Sequence, residues 1–130
     1  MKRTVRGFTL VEIMMVVAII ALLASIAIPN LLRAKISTND AVAKRTLRTL
    51  SNASERYSLT KNGSYPVGIT SLTGATPPFF NSDPCANGTP GFTYNCFFMS
   101  TGYLFTATPV TPGTSGSSSF IIFTGGVLQP

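Results

Sequence analysis

One uninterrupted apolar segment, Phe8–Ile28, constrains this chain more than any other feature. It is 21 residues long and contains a single charged side chain, Glu12. An α-helix of that length measures roughly 30 Å, which is enough to cross the hydrocarbon core of a bilayer. Lys2, Arg3 and Arg6 precede it, which favours an N-terminus in the cytoplasm and places the following residues outside the inner membrane.

The composition supplies little for enzymatic chemistry. The 130 residues contain no His and only four Asp+Glu, so the commonest general base and a carboxylate cluster are both missing. Two cysteines cannot form a four-ligand zinc site on their own. We therefore expect no enzyme, no metal site and no cofactor.

The chain has a net charge of +6, and all ten of its basic side chains lie in the first half. Three basic residues precede residue 8, and the remaining seven lie between Arg33 and Lys61. The 69 residues after Lys61 contain one charged side chain, Asp83. A nucleic-acid surface needs basic side chains clustered on the binding domain, so no specific nucleic-acid partner is expected.

Charge and hydropathy alone leave two interpretations of the apolar segment open. Residues 25–27 read Ser-Ile-Ala and fit a small-x-small cleavage site, so the segment could be a secretory signal peptide. Alternatively, it is retained as a membrane anchor. Glu12 favours the anchor, because a carboxylate at that depth costs roughly 2.5–3.5 kcal/mol and a disposable peptide gains nothing from it.

Residues 7–12 read GFTLVE and are followed by apolar residues up to Pro29. This segment closely resembles the N-terminal motif of type IV prepilins and type II secretion pseudopilins. That motif combines a short basic leader ending in Gly, an aromatic first mature residue, a Glu four residues later and a long apolar helix. The resemblance covers residues 1–66, and the Gly-x-Tyr-Pro sequence at 63–66 also resembles the family.

In this family a membrane peptidase cuts after the glycine and methylates the new N-terminus. The resemblance therefore implies cleavage between Gly7 and Phe8, an N-methylated Phe8 and a mature chain of 123 residues. It also implies that Glu12 pairs with the amine of an adjacent subunit. Phe8 and Glu12 are one turn apart on the same helix, so an intrachain pair is the alternative. The physics supports this role, because the amine at Phe8 and the Glu12 carboxylate would share one apolar layer and a buried ion pair can set register.

The resemblance implies a structural subunit of a type IV pilus-like filament that assembles through its apolar helix. Its implied partners are further copies of the chain, a prepilin peptidase and methyltransferase, an inner-membrane assembly platform and the membrane. The subunit would cross the inner membrane once, with its N-terminus cytoplasmic, and after assembly would lie in the periplasm or in a cell-surface filament. A type II secretion pseudopilin and a minor or DNA-uptake pilin are the alternatives.

Beyond the motif, the pattern predicts an α+β fold. Pro29 removes a backbone hydrogen bond and is expected to kink the helix, but helical periodicity resumes after it. We predict one long helix from Phe8 to Leu59, with an apolar stripe in its second half made of Ile36, Ala43, Leu47, Leu50 and Tyr57. The expected segments are a leader (1–7), a transmembrane and filament-core helix (8–29), an amphipathic half (30–60) and a β-rich head (61–130).

Three segments rich in aromatic and β-branched residues predict strands, namely Phe92–Met99, Tyr103–Thr108 and Ser119–Thr124. Their order predicts a small antiparallel sheet packed on the amphipathic half of the helix. Gly63 follows the predicted helix and suits a left-handed C-cap. Residues 67–91 are rich in Gly, Pro, Ser, Thr and Asn, which predicts a surface loop with short elements.

Cys85 and Cys96 are separated by ten residues. Outside the inner membrane they can oxidise, and a disulfide closing this loop would contribute about 3 kcal/mol in the chain-entropy model. Two free buried thiols are the alternative. Many type IV pilins close a C-terminal loop with one disulfide. Here 34 residues follow Cys96, so the second cysteine lies earlier than in that pattern, and it stays open whether this loop is equivalent to the pilin loop. Major pseudopilins generally bind calcium and lack a disulfide in the head. Asp83 is the only acid of this head, which counts against a calcium site.

Overall fold

The computed structural model of the protein describes residues 7–130, so Lys2, Arg3, Arg6 and most of the predicted leader lie outside the described residues. Tertiary contacts divide the chain into two compact units, Met1–Ala34 and Lys35–Pro130. All the described strands belong to the second unit.

The long helix α1 spans Leu10–Thr60, and two short helices follow it, α2 at Ile69–Thr73 and α3 at Pro84–Asn87. The strands are β1 at Phe92–Met99, β2 at Gly102–Pro109, β3 at Phe120–Phe123 and β4 at Val127–Gln129. They form one sheet in the order β1-β2-β3-β4, and each strand is antiparallel to its neighbour. The predicted α+β class, a long helix packed on a small antiparallel sheet, is confirmed.

The predicted strands agree with the structure to within a residue at each end, but the sequence pattern does not predict β4. This strand has only three residues, which is too short to show an alternation. It forms because Gly125 and Gly126, with φ of 89° and 76°, turn the chain back onto β3. Val127 then pairs with Phe123 in the antiparallel register.

The core of the second unit lies between α1 and the inner face of the sheet. At the centre of the predicted helix stripe, Ala43, Leu47 and Leu50 are fully buried, whereas its outer members are half-buried. The sheet contributes alternate residues, because successive side chains of a strand point to opposite faces. These inward residues include Tyr94, Tyr103, Phe105, Ala107, Phe120 and Ile122.

One carboxylate, that of Glu55, joins α1 to three other segments of the head. Its Oε1 accepts hydrogen bonds from the Tyr103 hydroxyl at 2.8 Å and the Gly125 N–H at 2.9 Å. Its Oε2 accepts the Tyr65 hydroxyl at 2.9 Å. Ser51 Oγ lies 2.7 Å from the Tyr103 oxygen and acts as the donor, because the single tyrosine proton goes to Glu55. We call these five residues the Glu55 cluster.

The pKa values of the Glu55 cluster follow from these contacts. Partial burial raises the pKa of the Glu55 carboxyl, but the bonds from Gly125, Tyr103 and Tyr65 outweigh burial and lower it overall. Burial raises the pKa of Tyr103 to about 12; the Ser51 bond opposes this and the Glu55 carboxylate adds to it. The bond to Glu55 likewise raises the pKa of Tyr65. The cluster therefore favours an ionised glutamate beside neutral tyrosines.

Two further polar side chains of α1, Asn39 and Asp40, bind the loop between β2 and β3. Asn39 Nδ2 donates to the carbonyl of Ser115 at 2.7 Å, and Asp40 accepts both the N–H and the hydroxyl of Ser117. Gly91 lies against this contact with φ of 83°, and a Cβ there would approach the Ser115 carbonyl to 2.8 Å. The close approach and the positive φ together require glycine at this position.

The structure contains the predicted disulfide between Cys85 and Cys96, whose Cα atoms are 5.9 Å apart. The bond joins α3 to β1. The alternative of two free thiols is wrong. Asp83 caps α3, because its carboxylate accepts the N–H of Ala86 at 3.0 Å.

The outward face of the sheet carries one apolar row across all four strands. Phe97, Leu104, Phe123 and Val127 are successive partners in the strand register. Phe97 is 54% exposed and Val127 is 56% exposed. The sheet therefore buries aromatic side chains on one face and shows others to solvent on the opposite face.

Candidate functional site

The first unit presents an apolar helix surface that the chain itself does not cover. Every large apolar side chain from Phe8 to Ile28 is more than half exposed, from 52% at Ile13 to 84% at Phe8. Helix α1 is long and apolar enough near the N-terminus to cross a membrane, by length and composition. Exposing so large an apolar surface to water is unfavourable, so lipid or other apolar helices must cover it.

The predicted cleavage junction lies immediately before this helix. Gly7, Phe8 and Thr9 have no regular secondary structure, and α1 begins at Leu10. Gly7 and Phe8 are both exposed. A Cβ added to Gly7 would meet no described atom within 4 Å. The packing of the described residues therefore does not require glycine at position 7.

Glu12 and Thr9 form a capping box at the start of α1. The Thr9 N–H and the Thr9 hydroxyl each donate to Glu12 Oε2 at 2.8 Å, and the Glu12 N–H points back to Thr9 Oγ1 at 3.3 Å. These reciprocal bonds satisfy donors that the first helical turn leaves unpaired. The sequence contains the signal for this box, since Thr-x-x-Glu before an apolar run is the capping-box pattern. From the sequence, Glu12 is predicted only to pair with the amine of an adjacent subunit, and Thr9 is not identified as its partner.

The capping bonds leave half of the Glu12 carboxylate available. Both bonds from Thr9 end on Oε2, and Oε1 receives no hydrogen bond from residues 7–130. A cleft of about 350 Å³ opens beside it and is lined by Gly7, Phe8, Thr9 and Glu12. The structure thus places the three predicted residues of the N-terminal site around one cleft, where Oε1 of Glu12 accepts no hydrogen bond from the described residues.

Pro29 lies inside α1, which is helical on both sides of it. A proline has no N–H, so the helical bond to the carbonyl of Ser25, four residues earlier, cannot form. Nearby, the Ser25 hydroxyl donates to the carbonyl of Leu22 at 2.7 Å. The kink at Pro29 stays a prediction.

Comparison with known proteins agrees with this N-terminal geometry. The family profile described as "Prokaryotic N-terminal methylation motif" matches residues 2–28. PilA4, the major component of the type IV wide pilus of Thermus thermophilus, is 43% identical over 60 residues, which cover 46% of this chain and 46% of that protein. Core protein G of the Escherichia coli type II secretion system is 43% identical over 70 residues, covering 52% of this chain and 48% of that protein.

Over about half of its length, the chain is similar to type IV pilins and type II secretion pseudopilins. The competence protein ComGC of Streptococcus pneumoniae is also similar, with 38% identity over 61 residues that cover 47% of this chain and 56% of that protein. The chain thus spans about half the length of these curated relatives. No solved structure gives a significant match.

Proposed function

We propose that this chain is a structural subunit of a type IV pilus-like filament and that it assembles through its apolar N-terminal helix. The observation that carries the proposal is the exposure of every large apolar side chain from Phe8 to Ile28. A bilayer covers such a helix before assembly, and neighbouring subunits cover it in a fibre. A repeated head-to-tail contact that does not close into a ring gives a fibre of this kind.

The proposal assigns a role to each segment. Residues 1–7 are a leader, 8–29 a transmembrane and filament-core helix, 30–60 the amphipathic half of α1 and 61–130 the head. Before assembly the subunit crosses the inner membrane once, with a cytoplasmic N-terminus. Afterwards it lies in a periplasmic or cell-surface filament. Its partners are other copies of the chain, the prepilin peptidase and methyltransferase, and an inner-membrane assembly platform.

Cleavage falls between Gly7 and Phe8, and Phe8 carries the N-methyl group. The exposed, non-helical backbone at this junction supports the assignment, because a peptidase needs an extended and accessible segment. The open space around Gly7 also supports it. Since the described packing does not require glycine there, the requirement comes from the peptidase.

Glu12 pairs with the Phe8 amine of an adjacent subunit. Cleavage creates a cation at Phe8 in the same apolar layer as the Glu12 carboxylate, and each unpaired ion would cost several kcal/mol. Glu12 Oε1 is the acceptor, because Oε2 already takes the two bonds from Thr9. The capping box holds the carboxylate at the start of the helix while leaving this oxygen for the incoming amine.

The function is tested by expressing the full chain in a host that has a type IV assembly machinery and no pilin of its own. The processed chain is expected in the fraction sheared from the cell surface, and electron microscopy should show filaments there. Recovery of the processed chain only in the membrane fraction would contradict the proposal.

A secretion role is the second candidate, because core protein G of the type II secretion system is 43% identical over its matched region. It predicts restored exoprotein secretion when the chain is expressed in a strain that lacks core protein G. Surface filaments without restored secretion would favour the pilus. The similarity to ComGC makes DNA uptake a third outcome, which a transformation assay distinguishes.

A further inference from the structure

The second unit contains a cleft that filament assembly through the N-terminal helix does not use. It has a volume of about 670 Å³ and lies between the last turns of α1 and the segment around α2. Its lining includes Arg56, Tyr57, Lys61, Thr70, Ser71 and Phe79. Ligand pockets in proteins measure about 300–1,000 Å³, so the cleft has the size of a small-molecule site.

The charges of this cleft are unbalanced. Arg56 and Lys61 are exposed, and no acidic residue lines the cleft with them. Glu55 is adjacent to Arg56 in sequence, but its carboxylate is engaged by the Glu55 cluster. Asp83 lines a separate cleft and caps α3. Two cations without an opposing carboxylate favour an anionic ligand.

The remaining walls indicate what the anion is attached to. Tyr57 and Phe79 pack edge to face with their ring centroids 5.7 Å apart, and the Arg56 guanidinium lies 5.9 Å from the Phe79 centroid. The aromatic pair therefore forms part of the wall, and one face of Phe79 is already occupied. A nucleobase, which needs a free ring to stack on, fits less well than a ligand rich in hydroxyls. Thr70 and Ser71 supply hydroxyl groups that can donate or accept.

We propose that this cleft binds an acidic saccharide. Its carboxylate pairs with Arg56 and Lys61, and its hydroxyl groups bond to Thr70 and Ser71. This binding function goes beyond the structural role proposed above and does not rest on it, since every residue of the cleft belongs to the second unit, Lys35–Pro130.

The test uses the whole chain in detergent micelles. The probe is fluorescein-labelled trigalacturonic acid, and binding is followed by fluorescence anisotropy. We expect saturable binding that Arg56→Gln and Lys61→Gln each weaken by roughly tenfold, because each removes a charge-assisted hydrogen bond. Arg48→Gln is the matched control, since Arg48 is an exposed cation of α1 outside the cleft, and it should change the affinity less than about twofold.

Ser71→Ala keeps both cations and tests the hydroxyl contact, and it should weaken binding about threefold to tenfold. Circular dichroism of each variant establishes that the head remains folded. Four results would overturn the proposal. The first two are the absence of saturable binding and competition by neutral maltotriose equal to that by unlabelled trigalacturonic acid. The third is a loss of affinity in Arg48→Gln as large as that in Arg56→Gln. The fourth is displacement of the probe by a single-stranded oligodeoxynucleotide at lower concentration than by unlabelled trigalacturonic acid.

Discussion

The hydroxyl of Tyr103 donates a hydrogen bond of 2.8 Å to Oε1 of Glu55 and so joins β2 to α1 across 48 positions of the chain. The Tyr103 ring stacks on Phe105 with their centroids 4.7 Å apart, which places the hydroxyl at the edge of the aromatic core. The N–H of Gly125 reaches the same carboxylate oxygen. One helix carboxylate therefore fixes both a central strand and the turn between β3 and β4.

Acid should destabilise the head through Glu55. The folded-state pKa of this carboxyl is lowered, so its contribution to stability is complete above the unfolded pKa and is lost as the pH falls through the folded-state pKa. Glu55→Gln keeps an oxygen acceptor but removes the charge, and should lower the free energy of unfolding at neutral pH by about 1–2 kcal/mol. Thermal melts of the full chain in detergent across pH 3–7 check this. An unchanged acid slope in Glu55→Gln would show that other groups cause the loss.

Alkali should destabilise the head through Tyr103. Its folded-state pKa is raised to about 12, so its contribution is complete below the unfolded pKa of about 10 and is lost as the pH rises towards about 12. Tyr103→Phe keeps the stacked ring but cannot ionise at this position. The melting temperature of this variant should therefore fall less steeply above pH 10 than that of the natural chain. Melting temperatures at pH 9, 10 and 11 measure the difference. Tyr94→Phe, at a tyrosine outside the Glu55 cluster, is the control.

The two faces of the sheet should respond differently to loss of a phenyl ring. Phe105 is fully buried, and Phe105→Ala should cost about 3–5 kcal/mol of unfolding free energy because it leaves a cavity. Phe97 lies on the exposed apolar row, and Phe97→Ala should cost less than about 1 kcal/mol. Denaturant unfolding of both variants gives the comparison. Equal losses of unfolding free energy in the two variants would mean that the exposed apolar row containing Phe97 is covered in the folded protein.

Processing should depend on Gly7 without affecting the fold. Gly7→Ala is expected to leave much more uncut chain than Thr4→Ala, because the peptidase and not the described packing requires glycine. Intact-mass analysis of envelope protein should give a mature chain that begins at N-methylated Phe8. A mature chain beginning at Ile28 would identify an ordinary signal peptide and refute the filament function.

Two substitutions at Glu12 separate its charge from its capping role. Glu12→Gln preserves the capping box with Thr9, since glutamine also serves at that position, whereas Glu12→Val removes the charge and the two bonds from Thr9 to the carboxylate. If the carboxylate pairs with the Phe8 amine of a neighbour, both variants should lose most of their sheared-filament yield relative to the membrane pool. Normal assembly of Glu12→Gln with failure of Glu12→Val would show that the cap alone matters. The host must lack other pilins that could co-assemble.

Local sequence patterns were sufficient for much of the fold. The helix stripe around Leu47, the three longer strands and the end of α1 before Gly63 all follow from periodicities or single-residue preferences within a few positions. The capping box of Thr9 and Glu12 was also readable, because both partners lie within one helical turn. The cysteine pair could be proposed but not assigned, since spacing alone does not exclude free thiols.

The sequence by itself determined the N-terminal motif that the family profile matches, the apolar helix and the order of helix and strands, because each depends on neighbours along the chain. Only the tertiary structure revealed the Glu55 cluster, the short strand β4 and the cleft beside Arg56. Glu55 and Gly125 are 70 positions apart, and no local pattern links them. Their bond exists because packing of α1 on the sheet brings a carboxylate and a turn amide to 2.9 Å, a distance set by the fold of the whole head.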